Sequence, residues 1–63
     1  MEPESDYITV SPTTSPHKCC VMVMRYQAAG DQYIATRVSA KLPEVAARAL
    51  AQSWAQALRL EIR

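Results

Sequence analysis

The sequence predicts an α+β fold: a two- or three-stranded antiparallel sheet packed on one C-terminal helix. Three observations predict it. Lys18 to Ala28, KCCVMVMRYQA, is the most strand-like run of the chain and is apolar without a break from Cys19 to Met24. Gln32 to Lys41, QYIATRVSAK, follows the chain's only glycine and alternates in side-chain character as a strand does. From Pro43 to about Arg59 alanine, leucine, glutamine and arginine predominate, all good helix formers. With 63 residues the chain makes one domain, near the lower size limit for folding without metal, disulfide or association.

In chain order, Met1 to Ser5 carries Glu2, Pro3 and Glu4 and is expected to fray. Asp6 to Val10, DYITV, is a short edge strand or extended arm, with Ile8 and Val10 on one side and Tyr7 and Thr9 on the other. Ser11 to Pro16, SPTTSP, reads as a linker, because each proline lacks an amide donor and biases its preceding serine towards extended geometry. Residues 1–16 are therefore a flexible N-terminal arm with a short strand and linker, and residues 17–63 a ββα domain.

The register of the central hairpin decides which face is core, since a slip of one residue swaps the faces. A two-residue Gly30-Asp31 turn, with Gly30 at positive φ, sets Val23 opposite Val38 and Val21 opposite Ala40. The core face is then Cys19, Val21, Val23, Ile34, Val38 and Ala40. The other face carries Cys20, Met22, Met24, Tyr26, Tyr33, Arg37 and Lys41. An odd-length loop would instead group Met22, Met24 and Tyr26 with Ile34 and Val38. Gly-X chemistry favours the first arrangement.

Pro43 suits the first helical position, and Glu44 stands beside the positive end of the helix dipole. Leu42, Val45, Ala46, Ala49, Leu50, Ser53, Trp54, Ala57 and Leu58 recur at three- and four-residue spacing and form the predicted inward stripe. Ala47, Ala51 and Ala55 fall near its edge, where a second helix could approach. In the closing LRLEIR, Leu58, Leu60 and Ile62 alternate with charges, so helix and strand both remain open there.

Composition narrows function more by exclusion than by assignment. A formal charge of +1 supplies no field to draw the chain onto nucleic acid or an anionic membrane. No apolar run reaches a membrane span, and MEPESDY has no signal-peptide character, so a cytoplasmic protein is expected. Cys19 and Cys20 are neighbours that project to opposite faces of a strand and cannot staple the fold, in keeping with a reducing compartment. His17 with the cysteines is half a metal site at most, and no second cluster completes it. One histidine, one glycine and no nucleophile motif give no catalytic constellation or phosphate loop. The reading is a non-enzymatic protein without cofactor.

One helix can cover only one face of a sheet, and the central strand is apolar on both. Met22, Met24, Tyr26 and Tyr33, fringed by Arg37 and Lys41, are therefore the candidate partner-binding residues. Methionine adapts to irregular surfaces, and tyrosine offers contact area at low entropy cost. The expected partners are a host protein and a second copy of the chain, giving a homodimer. The alternative is a small nucleic-acid-binding regulator using Arg25, Arg37 and Lys41, for which the basic residues are few. An antitoxin of a toxin–antitoxin pair is a third class.

VMVMRYQAAGDQYIATRV followed by PEVAARALAQSWAQAL resembles, in architecture and composition, the small ββα proteins encoded by bacteriophages and mobile elements, anti-CRISPR inhibitors among them. The resemblance covers roughly the last two-thirds of the chain. It implies an inhibitor that blocks a host protein complex by protein–protein contact, and it carries over no individual residue.

Overall fold

The structure, a computed structural model, describes residues 6–63; Met1 to Ser5, expected to fray, lie outside the described residues. The strands are β1 (Tyr7–Pro12), β2 (Lys18–Gln27), β3 (Gln32–Val38), β4 (Leu42–Pro43) and β5 (Glu61–Ile62), and the helix is α1 (Glu44–Leu58). They form a five-stranded sheet in the order β3-β2-β1-β5, with β4 paired to β2 beside β3. All pairings are antiparallel except β1 with β5. The α+β class and the C-terminal helix stand as predicted, whereas two or three strands was an undercount. The additional strands, β4 and β5, are two residues each, too short to leave a periodic signal.

The N-terminal segment belongs to the sheet. β1 pairs with β2 over six residues, from Tyr7↔Met24 to Pro12↔Cys19, and Ile8 is fully buried. Of the run read as a linker, Ser11 and Pro12 belong to β1, and the residues after them make a tight hairpin connection. Thr13 N–H donates to the Lys18 carbonyl at 3.2 Å, and Thr13 Oγ1 accepts the Ser15 N–H at 3.1 Å. These bonds satisfy backbone groups that a proline-rich loop would otherwise leave to water. Asp6 extends the ladder: its carboxylate accepts the Tyr26 N–H at 3.0 Å and the Arg25 guanidinium at 2.6 Å. These contacts, the backbone N–H first, hold the Asp6 carboxyl below its ordinary value of 3.8.

The β2–β3 connection departs from the predicted two-residue turn. Four residues, Ala28 to Asp31, lie between Gln27 and its partner Gln32. Overlapping turns close them, with Gly30 N–H on the Gln27 carbonyl and Asp31 N–H on the Ala28 carbonyl. Gly30 does not take a positive φ; Asp31 does, at 49°. Aspartate tolerates this region better than most residues, and its carboxylate is held by the Tyr26 hydroxyl at 2.6 Å.

Further along, the register shifts between Val23 and Met24, so that Val23 faces Arg37 while Met24 faces Ala35. Thr36 is the extra residue of a β-bulge. The predicted pairs Val23 with Val38 and Val21 with Ala40 do not form. Val38 lies opposite Met22, on the face away from the helix, and is 56% exposed. Arg37 moves to the helix side, its guanidinium 4.5 Å from the Trp54 ring centroid. Ile34 stays on the helix side as Arg25's partner but lies towards the turn and is 38% exposed.

The helix keeps its predicted span to within a residue at each end, with Pro43 as N-cap in extended geometry. Its inward face is rotated from the predicted stripe. Ala47 and Ala51 are buried, with Leu50, Trp54, Ala55 and Leu58 packed around them. Val45 is 83% exposed, and Ala46, Ala49, Ser53 and Ala57 face solvent. Ala47, Ala51 and Ala55 therefore meet the sheet and offer nothing to a second helix. The reason is steric: the smallest side chains let the helix sit close over Ile8, Val21 and Val23, which fill the intervening space. Burying each of these three contributes about 1.5–3 kcal/mol.

α1 stops at Arg59, whose φ of 57° turns the chain back. The Leu60 N–H then bonds the Ala55 carbonyl at 3.1 Å, and the Arg63 N–H reaches the Ile8 carbonyl at 2.7 Å. The ambiguous LRLEIR thus ends as a helix followed by a strand.

Candidate functional site

The sheet has one covered and one uncovered face. Alternation along β1 and β2 sends Ile8, Val10, Cys19, Val21 and Val23 towards α1. It sends Tyr7, Thr9, Ser11, Cys20, Met22, Met24 and Tyr26 the other way. β3 adds Tyr33 opposite Tyr26, Ala35 opposite Met24 and, past the bulge, Val38 opposite Met22. No element among the described residues packs over this side, since α1 is the only helix and its contacts are to the other.

The three tyrosines gather at one end of the uncovered face. Tyr33 stands edge-on to Tyr7 at 5.0 Å and to Tyr26 at 5.5 Å between ring centroids. Such geometry sets the positive edge of one ring against the negative face of the next. Arg63 closes the cluster, its guanidinium 4.8 Å from the Tyr7 centroid and 3.4 Å from the Glu61 carboxylate. A hydrogen bond to Tyr33 also involves Arg63. Met22, Met24, Tyr7, Tyr26 and Tyr33 are all half-buried by their neighbours, so they form a low surface instead of projecting freely.

The structure thus brings together Met22, Met24, Tyr26 and Tyr33 of the six candidate residues. Arg37 leaves this face through the bulge and covers Trp54. Lys41 lies past the end of β3, its Nζ donating to Ser15 Oγ at 3.1 Å. Arg25, the third basic residue considered for nucleic acid, is on the helix side and paired with Asp6. Cys20 lies on this face as the sequence placed it, and Tyr7, Val38 and Arg63 join it without having been singled out. For Tyr7 the signal was present in the alternation of DYITV; for Val38 the bulge hid it.

Along β1, β2 and β3 the one charged side chain that alternation sends to the uncovered face is Lys18, at the end of β2 away from the tyrosines, and the Glu61–Arg63 pair at its margin is self-neutralising. Among the described residues no group of three His, Cys, Asp or Glu side chains gathers to hold a metal ion, and Cys19 and Cys20 are both free. Among the described residues no helix is long and apolar enough to cross a membrane. No family model, curated protein or solved structure matches the chain.

Proposed function

We propose that the protein is a non-enzymatic binding protein that occupies the surface of a partner protein with the uncovered face of its sheet. The form implied by its resemblance to phage-encoded ββα proteins is an inhibitor of a host protein complex, of the anti-CRISPR kind. One observation carries the reading. Tyr7, Met22, Met24, Tyr26 and Tyr33 form a continuous apolar and aromatic surface, uncharged at its centre, over which none of the described elements packs. Aromatic residues and methionine are enriched, and charges depleted, at the centres of protein–protein interfaces. The nucleic-acid reading has less support, because Arg25, Arg37 and Lys41 are dispersed and each is engaged with Asp6, Trp54 or Ser15.

The test is a tagged pull-down from nuclease-treated bacterial lysate, run beside the double variant Met22→Glu, Met24→Glu after circular dichroism has confirmed its fold. The expected result is one stoichiometric protein captured by the native chain, retained at moderate salt and lost with the double variant. Equal capture by both forms would place the contact elsewhere and overturn the reading. Light scattering on the purified chain shows whether a second copy takes the face when no target is present.

A further inference from the structure

We propose that the outer edge of β3 is a second interaction surface, where two copies of the chain pair antiparallel into one continuous sheet. The pairing uses the main chain of β3 and does not depend on the partner assigned to the uncovered face. β3 ends the sheet order, and no strand among the described residues lies beyond it. Six of its seven residues are exposed, Ile34 and Val38 among them. Hydrogen bonds along β2 show which way the β3 backbone points. Val21 accepts the Ser39 N–H at 2.8 Å and gives its own N–H to Ser39 Oγ at 2.8 Å, so its main chain turns towards the β3 side. Direction alternates along a strand, so Met24 turns to β1 instead, and its partner Ala35 turns its N–H and C=O to the outer edge. An exposed edge without proline, glycine or lysine is a template for another strand. The opposite edge, β5, is two residues long and offers none.

The side chains of β3 select a second copy as the occupant. A two-fold axis at Ile34 sets Ile34 against its own counterpart on the helix side, and Tyr33 against Ala35 of the second copy on the other. Every opposed pair then shares a face, a bulky ring lies beside a methyl group, and each exposed isoleucine covers the other. The Ala35 N–H and C=O bond across the seam in both copies. Arg37 is the only charged side chain of β3 and lies towards the Gly30–Asp31 turn of the second copy. The two guanidiniums stay roughly 20 Å apart along the seam, at about 3.4 Å per residue, so like charges do not oppose the approach. The bulge at Thr36 ends the regular edge, which confines pairing to a short seam closed by the axis. Both uncovered faces come to lie on one side of the joined sheet and both helices on the other. A chain of 63 residues, near the lower size limit for folding alone, gains from such an addition.

The experiment is sedimentation equilibrium on the full chain at about 0.1 mM, where micromolar association is nearly complete. The native chain is expected at twice its 7.0 kDa mass. Ile34→Glu and Ile34→Lys each set like charges against each other across the axis, and each is expected to weaken association by about tenfold or more. An equimolar mixture of the two is expected to regain the double mass, because opposite charges then meet. Ala35→Pro removes the outward N–H without taking a bond from β2 and is expected to abolish pairing. Ile34 and Ala35 are both exposed, and circular dichroism confirms that each variant keeps the native fold. Met22→Glu with Met24→Glu should leave the double mass intact, which separates this edge from the uncovered face. A native chain of single mass, charge variants that do not recover on mixing, or a dimer lost with the methionine pair and kept with Ala35→Pro would overturn the proposal.

Discussion

Two alanine-to-leucine substitutions on α1 distinguish a helix seated on its smallest residues from one seated on its predicted stripe. Ala51 is 1% exposed and packs in the cluster with Ile8, Val21 and Val23, while Ala49, two residues earlier, faces solvent. Ala51→Leu inserts an isopropyl group where the strand side chains already fill the gap. Overpacking of this kind costs about 1–3 kcal/mol. A chain of 63 residues has a total margin of about 3–9 kcal/mol, so the loss is a large fraction of it. At about 4–8 °C per kcal/mol for a domain of this size, a mid-range cost of about 2 kcal/mol lowers Tm by about 8–16 °C. Ala49→Leu adds the same atoms to the solvent side with little change in helix propensity, and its effect should stay within about 0.5 kcal/mol. Urea and thermal unfolding followed by circular dichroism measure both. The predicted stripe had Ala49 inward and Ala51 at the edge. Equal losses for the two variants, or a larger loss for Ala49→Leu, would refute the packing described above.

Three further outcomes follow from local contacts. Removing the guanidinium from Trp54 by Arg37→Ala should cost about 0.5–1 kcal/mol, as expected of an exposed cation–π pair, and should raise quenching of Trp54 fluorescence by acrylamide. Gly30→Ala should be within about 1 kcal/mol of neutral by urea unfolding, because Gly30 has no positive φ and its new Cβ would meet only the mobile Gln32 side chain, 3.2 Å away. The Asp6 carboxyl is depressed in the folded state, so its contribution is fully present above 3.8 and is lost as pH falls through the lower folded value. Asp6→Asn should therefore lower Tm at neutral pH, and the gap from the native chain should close in acid; a gap that persists at the lowest pH would contradict the assignment.

Much of the fold was legible because it rests on signals that local sequence carries. The Cys19-to-Met24 run could only be a strand with two demanding faces; Cys19, Val21 and Val23 were given to the helix side from a two-residue turn that does not form, and the assignment holds because the four-residue connection keeps the same parity. What escaped notice depends on single backbone choices. Whether the reversal after β2 uses two residues or four is decided at Asp31, which takes the left-handed region that glycine was expected to take. The helix stripe failed for a different reason. Periodicity gives a face only to within a residue or so, and ranking by hydrophobicity pulled it towards Val45. Contact with the sheet instead favoured the positions where alanine lets the backbones approach.

The same distinction separates the parts of the candidate site that were legible from those that were not. Met22, Met24 and Tyr26 were placed by the parity of the turn, which four residues preserve as two would have, and Tyr33 lies between the turn and the bulge, where the pairing keeps one register. Arg37 and Val38 lie beyond Thr36, and one extra residue there exchanges their faces. The exchange is consistent with the energetics of both sides. On the helix side the Arg37 guanidinium lies over the Trp54 ring while the residue stays exposed, a compromise that valine could not make. On the other side Val38 extends an apolar surface that a guanidinium would have interrupted. The bulge thus clears charge from one face and shields the tryptophan on the other, which makes the uncovered face more uniformly apolar than the alternation of QYIATRVSAK implied.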